Sequence, residues 1–144
     1  MAKKIILLDR GTKGTFEEKK EKNIDNFEKR WAEAVNRIQS RTDGRVRLSL
    51  LPDDEDGMPV DVLDDVAIKG KIYFFQKYDP FWDDQGGGQD YTSPVVKNPT
   101  WLDIANLASE MIETTQDYSH LYLDGFEVIS TNKGVKKAHF IMGS

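Results

Sequence analysis

From Asn23 onward, Ile24, Phe27, Trp31, Ala34, Val35 and Ile38 recur at helical spacing, leaving Glu28, Lys29, Arg30, Glu33 and Arg37 on the other faces. The pattern predicts an amphipathic helix, ended near "RTDG" by Gly44. The period then drops to two. In "RVRLSLL", Val46, Leu48 and Leu50 alternate with Arg45, Arg47 and Ser49, as in a strand with one buried face. A second run, "VAIKGKIYFFQKY", sets Val66, Ile68, Ile72 and Phe74 on one face and Lys69, Lys71, Tyr73, Phe75 and Lys77 on the other. It is the expected partner of the first run.

Between these runs, the acidic "PDDEDGMPVDVLDD" carries Pro52, Gly57 and Pro59 and reads as a solvated loop; "DPFWDDQGGGQDYTSPVVKNP" reads as another. A second helix has a sharp start. Asn98 or Thr100 can cap it, Pro99 suits its first position, and Asp103 follows Thr100 at the spacing of a capping box. Leu102, Ala105, Leu107, Ala108, Met111 and Ile112 form its apolar side. Finally, "LYLDGFEVI" and "VKKAHFIM" flank "STNKG", which predicts a hairpin. Pairing Ser130 with Val135 sets Gly125 opposite Phe140, whose ring would cover it. The same register puts Leu121, Leu123, Ile129, Ala138, Phe140 and Met142 on the core face. Tyr122, Asp124, Phe126, Val128, Lys137, His139 and Ile141 take the other.

Helical and extended runs are separate rather than strictly alternating, which predicts an α+β fold. The expected architecture is a mostly antiparallel sheet of about four or five strands packed against two helices and ending in a C-terminal β-hairpin. The 144 residues suffice for one core, assigned to residues 23–144. Residues 1–22 hold a strand-like start, "KKIILL", and a charged, glycine-punctuated segment with little apolar content, expected to be mobile.

Composition narrows the chemistry. With 38% hydrophobic and 31% charged residues, three Trp, five Tyr and seven Phe, the chain is too aromatic to stay disordered. The net charge of −5 argues against a uniformly basic footprint for nucleic acid. The lack of cysteine excludes disulfides, thiolate nucleophiles, cysteine-bound zinc and iron–sulfur clusters. The apolar run Ile5–Leu8 is too short for a signal peptide and no segment has membrane-spanning length, so a cytoplasmic protein without a membrane partner is expected.

Several short motifs invite a site. In "WDDQGGGQDY", Gly87, Gly88 and Gln89 form a triplet that resembles the Gly-Gly-Gln loop of release factors and related peptidyl-tRNA hydrolases, which implies a glutamine placed beside an ester. The resemblance covers three residues, and Asp79, Asp83, Asp84 and Asp90 give the loop the wrong sign for ribosomal RNA. A turn through Gly86-Gly87-Gly88 is the expectation. "DDEDG" fails the calcium-loop pattern, because aligning Gly57 leaves Pro52 first and Leu63 last. No cofactor or metal site is expected. His120 and His139 are the only histidines, and a hydrolase or transferase would enlist one with a carboxylate such as Asp117 or Asp124.

If the two alternating runs are neighbours, Arg45, Arg47, Lys69, Lys71, Tyr73 and Phe75 make a basic, aromatic face suited to an anionic ligand or single-stranded nucleic acid. "KGKIYFF" faintly resembles the signature of the RNA-recognition motif, with Lys71 where that signature has its first aromatic. Without a convincing catalytic set, the preferred expectation is a non-enzymatic binding domain acting by self-association or on a protein partner. Its contacts are expected at Tyr73, Phe75, Tyr78, Phe81, Trp82, Tyr122 and Phe126.

Overall fold

A computed structural model of the protein describes residues 3–8, 27–49 and 51–144. The expected helix start at Asn23 and Ile24, the expected core residue Leu50, and the charged segment 9–22 lie outside the described residues. In chain order the elements are β1 (Lys4–Leu7), α1 (Phe27–Gln39), β2 (Arg47–Leu48), β3 (Lys71–Gln76), β4 (Tyr91–Thr92), β5 (Val96–Lys97), α2 (Trp101–Thr115), β6 (Tyr122–Asn132) and β7 (Val135–Gly143).

The fold is α+β, with strands that are mostly antiparallel and a C-terminal hairpin, β6–β7, at the centre of the sheet. The order is β1-β6-β7-β3-β4, with β2 also on β6 and β5 also on β3. The seven strands among the described residues exceed the four or five expected; the surplus is β4 and β5, two residues each, too short to carry a period.

The inner face of the sheet carries Ile72, Phe74, Leu123, Phe126, Val128, Ala138 and Phe140, all buried. Phe74 stacks on Phe140 at 4.6 Å and meets Phe126 edge-on at 5.4 Å, and Trp101 of α2 stands 5.6 Å from Phe126. Ile104, Ala105, Ala108, Met111 and Ile112 continue the buried side of α2, and α1 adds Ile38 to the same core. Thr100 caps α2: its hydroxyl accepts from Asp103 N while the Asp103 carboxylate accepts from Thr100 N, the reciprocal box the sequence predicts. Pro99 lies before the cap, not at the first helical position. Asn98 adopts φ 49° and accepts from Gly70 N through Oδ1, so it ties down the approach to β3.

Several expectations are corrected. The run at Val46 does not pair with β3. Strand β2 lies parallel to β6, with Arg47 N donating to Leu121 O and Ser49 N to Leu123 O. Alternation tells which face is buried but not which strand lies alongside. The other edge of β2 is held by the Gln39 amide, which donates to Val46 O and accepts from Leu48 N.

The hairpin register is right at the open end, where Leu123 faces Met142, and two residues off at the turn. Irregularities between Leu123 and Gly125 and between Val128 and Ser130 each place one extra residue on β6. The strand therefore runs on to Asn132, and the turn is Lys133-Gly134, with φ 53° and 77°. The first bulge also reverses the facing of the residues beyond it. Phe126 and Val128 point into the core opposite Phe140 and Ala138, and His139 faces Glu127. Gly125 faces Ile141 instead of Phe140, and the reason for glycine is different: a Cβ there would stand 2.0 Å from the Ile6 carbonyl oxygen of β1.

The acidic loop is anchored as well as solvated. Val62 and Leu63 are buried, and Arg41 bonds Asp61 and Asp64 at 2.6 Å each. Asp54 Oδ1 accepts from Asp56 N and Met58 N, so local turns engage this carboxylate.

Candidate functional site

On β3 the inward positions are Ile72, Phe74 and then Gln76, a polar residue on the core side of the strand. Where the strand ends, α2 ends too, presenting Met111 and Thr115 one turn apart, and β7 brings Phe140 and Met142. The chain reversal after α2 supplies Asp117 and His120, and the short helical turn Pro80–Trp82 supplies Trp82. Together with Lys77 and Asp79 these residues line a cleft of about 320 Å³. The floor is apolar and the walls are polar.

Within it, His120 Nδ1 lies 2.8 Å from Asp117 Oδ2, a contact in which the Nδ1–H tautomer donates and Nε2 is left for other partners. Asp117 Oδ1 also accepts from Ser119 N. Trp82 meets the imidazole edge-on at 4.7 Å, and Phe81 packs edge-on against Trp82 at the same distance while remaining 75% exposed. The Thr115 hydroxyl donates to Met111 O and is committed within the helix. Gln76 Oε1 is buried and meets no hydrogen-bond donor among the described residues.

The glycine loop beside the cleft is organised by one carboxylate. Asp83 Oδ2 accepts from the Tyr78 hydroxyl and Gly88 N, and Oδ1 accepts from Gly86 N. Although burial pushes this carboxyl up, the bonds from Tyr78, Gly88, Gly86 and Gln85 outweigh it and hold the pKa below the usual carboxylate value. The same pairing raises the Tyr78 phenol. Gln89 N donates to Thr114 O, and a Cβ at Gly88 would come within 2.4 Å of Thr115 O and 2.5 Å of the Tyr78 ring. Gly88 thus serves close packing against α2, and Gln89 is exposed and does not line the cleft.

The aromatic residues expected to form contacts are dispersed. Phe81 and Trp82 meet at the cleft, and Tyr78 holds the loop behind them. Tyr73 and Phe75 lie on the outer face of the sheet, where Lys137 Nζ sits 4.9 Å above the Phe75 ring. Tyr122 is exposed at the start of β6, beside Trp31 and Val35. Phe126 is fully buried and unavailable to a partner, because the β6 bulge turns it inward.

The six residues of the expected basic face do not form one surface. Strands β6 and β7 separate β2 from β3. Arg45 bonds Glu113 at 2.5 Å and lies over the Tyr118 ring at 4.5 Å, on the α2 side. Lys71, Tyr73 and Phe75 remain on the outer face, whereas Lys69 lies near Lys136, whose Nζ donates to Lys69 O. His139 bonds Glu127 at 3.0 Å on that outer face, remote from His120.

Sequence reasoning named Trp82 as a contact residue and Asp117 as one of two possible carboxylate partners for a histidine, assigned Met111 and Met142 to the core, and missed Gln76 and Thr115. A glutamine continuing the inward series Ile72, Phe74 was the signal that could have located the cleft. Among the described residues no group of three or more His, Asp or Glu could hold a metal ion, and no helix is long and apolar enough to cross a membrane. No family model, curated protein or solved structure matches the chain.

Proposed function

We propose that the protein is a cytoplasmic, non-enzymatic binding domain that engages a protein partner through the cleft at the ends of β3, β7 and α2. The observation that carries this reading is the pair Phe81 and Trp82 at the mouth of the cleft. A large aromatic ring 75% exposed on a short rigid turn has the character of an interface anchor. The turn is fixed by Asp79, whose side chain accepts from Phe81 N, and by the Asp83 bonds behind it. Little conformational freedom would be lost on contact.

A photo-crosslinking residue at position 81, in cells of the source organism, tests the idea. A discrete adduct, competed by unlabelled protein and lost with Trp82→Ala, supports it. Adducts identical to those from Val95, an exposed apolar position elsewhere, would remove it.

A second reading has its own observation, the Asp117–His120 pair inside a cleft. A carboxylate that orients imidazole through Nδ1 and leaves Nε2 free is the arrangement of a general base. With Thr115 committed to Met111 O, the proton would come from water or from the substrate itself. This reading requires an activity lost with His120→Ala and weakened with Asp117→Asn; the binding reading requires crosslinking at position 81 to survive His120→Gln.

A further inference from the structure

We infer that the cleft takes a primary ammonium or guanidinium group, presented as a Lys or Arg side chain by the partner; this rests on the cleft being the contact site. The first reason is Gln76. Its Oε1 is a buried acceptor without a donor, at the end of a strand whose other inward residues are apolar. Gln76 lines the cleft, so a turn of its amide brings this shielded oxygen to a ligand N–H; an apolar group or a carboxylate leaves it unpaired.

Charge points the same way. Asp79 and Asp117 line the cleft, with Lys77 the only lining cation of fixed charge among the described residues, and Asp83, Asp84 and Asp90 belong to the adjoining loop. Helix α2 ends here and has no basic residue in its last turn, so its own side chains do not neutralise its negative end. An incoming anion would meet an unfavourable field.

Shape supplies the rest. About 320 Å³ is at the small end of ligand sites and suits one side chain rather than a whole cofactor. Met111, Phe140 and Met142 offer an adaptable apolar floor for methylene groups, and Trp82 offers an aromatic ring to the cationic head.

The test is an NMR titration of the full chain with N-acetyl-arginine and N-acetyl-lysine methylamides, against the uncharged citrulline and norleucine analogues and against agmatine as a free amine. The inference expects weak binding by the cationic pair, with a Kd of about 1–10 mM, seen at the Trp82 indole N–H and the Gln76 amide. The neutral analogues should bind at least tenfold more weakly. Gln76→Leu, which removes the orphaned acceptor without emptying the position, should weaken the cationic probes about tenfold, as should Asp79→Asn.

Equal binding of citrulline, stronger binding of acetate or phosphate, or unchanged affinity in Gln76→Leu overturns the inference. Tighter binding of agmatine than of capped arginine overturns presentation by a protein partner. A specific adduct at position 81 without any response to the cationic probes would sink this inference and leave the binding domain standing.

Discussion

Replacing Gly125 with alanine would place a methyl group 2.0 Å from Ile6 O and 2.9 Å from Leu7 Cα, both backbone atoms of β1. Real Cβ atoms essentially never come closer than 3.0 Å, so β1 must retreat by about 1 Å or leave the sheet. Leaving exposes Leu8, which is fully buried, and breaks the pairing of Lys4–Leu7 with Val128–Gly125 together with the bond from Leu8 N to Asp124 O. Burial of one leucine contributes about 1.5–3 kcal/mol, and each net hydrogen bond about 0.5–1.5 kcal/mol. The gain from restricting the unfolded chain offsets about 0.4–1 kcal/mol. A net loss of about 3 kcal/mol is expected in urea denaturation. Leu8→Ala alone should cost about 2–5 kcal/mol. If both substitutions act by releasing β1, the double variant should be scarcely less stable than Gly125→Ala alone. Additive losses with the β1 amides still protected from exchange, or a loss below about 0.5 kcal/mol, would refute the reasoning.

Thr100→Ala removes one half of the capping box and should cost about 1 kcal/mol by chemical denaturation, with Thr100→Ser recovering most of it. Lys133 holds φ 53° in the hairpin turn, so Lys133→Asn should stabilise by about 0.5 kcal/mol, a fraction of the left-handed penalty; thermal denaturation reads it. Asp83 is held below its ordinary pKa, so its contribution is complete above the unfolded carboxylate value, about 3.9, and is lost as pH falls through the lower folded value. Exchange protection of the Gly86 and Gly88 amides, corrected for intrinsic rates, should stay level down to about pH 4 and fall below it. Loss of that protection already at pH 6, or full protection in Asp83→Asn, would contradict the clasp.

Elements whose cause is local were legible. Thr100 and Asp103 announce the α2 start because both halves of the box lie within one turn. The end of α1 was placed less well, because it stops at Gln39 and Gly44, with φ 77°, belongs to the turn that leads into β2. The strand partner of Val46 was not, because an alternating pattern fits any neighbour with an apolar face. The hairpin failed between these extremes. Its turn residues and its open-end pair Leu123–Met142 were readable, but the extra residues on β6 leave no mark in the apolar count and reverse the facing of Phe126 and Val128. The cleft was hidden for a further reason. Gln76, Trp82, His120 and Met142 come from separate segments, and only the adjacency of β3 with β7, set from distant parts of the chain, brings them together.

The sheet order has a consequence for how the molecule forms. Strands β1 and β3 are made early, yet their long partners β6 and β7 come last in the described chain. Until the hairpin closes, Lys4 lacks Val128 and Ile72 lacks Lys136, so the inner faces of both early strands have no sheet to join. Local hairpin closure is fast, whereas recruiting strands across such sequence separations is slow. Nascent chains released before β7 should present the apolar sides of β3 and α2 to chaperones or to one another, and assembly should proceed outward from the hairpin.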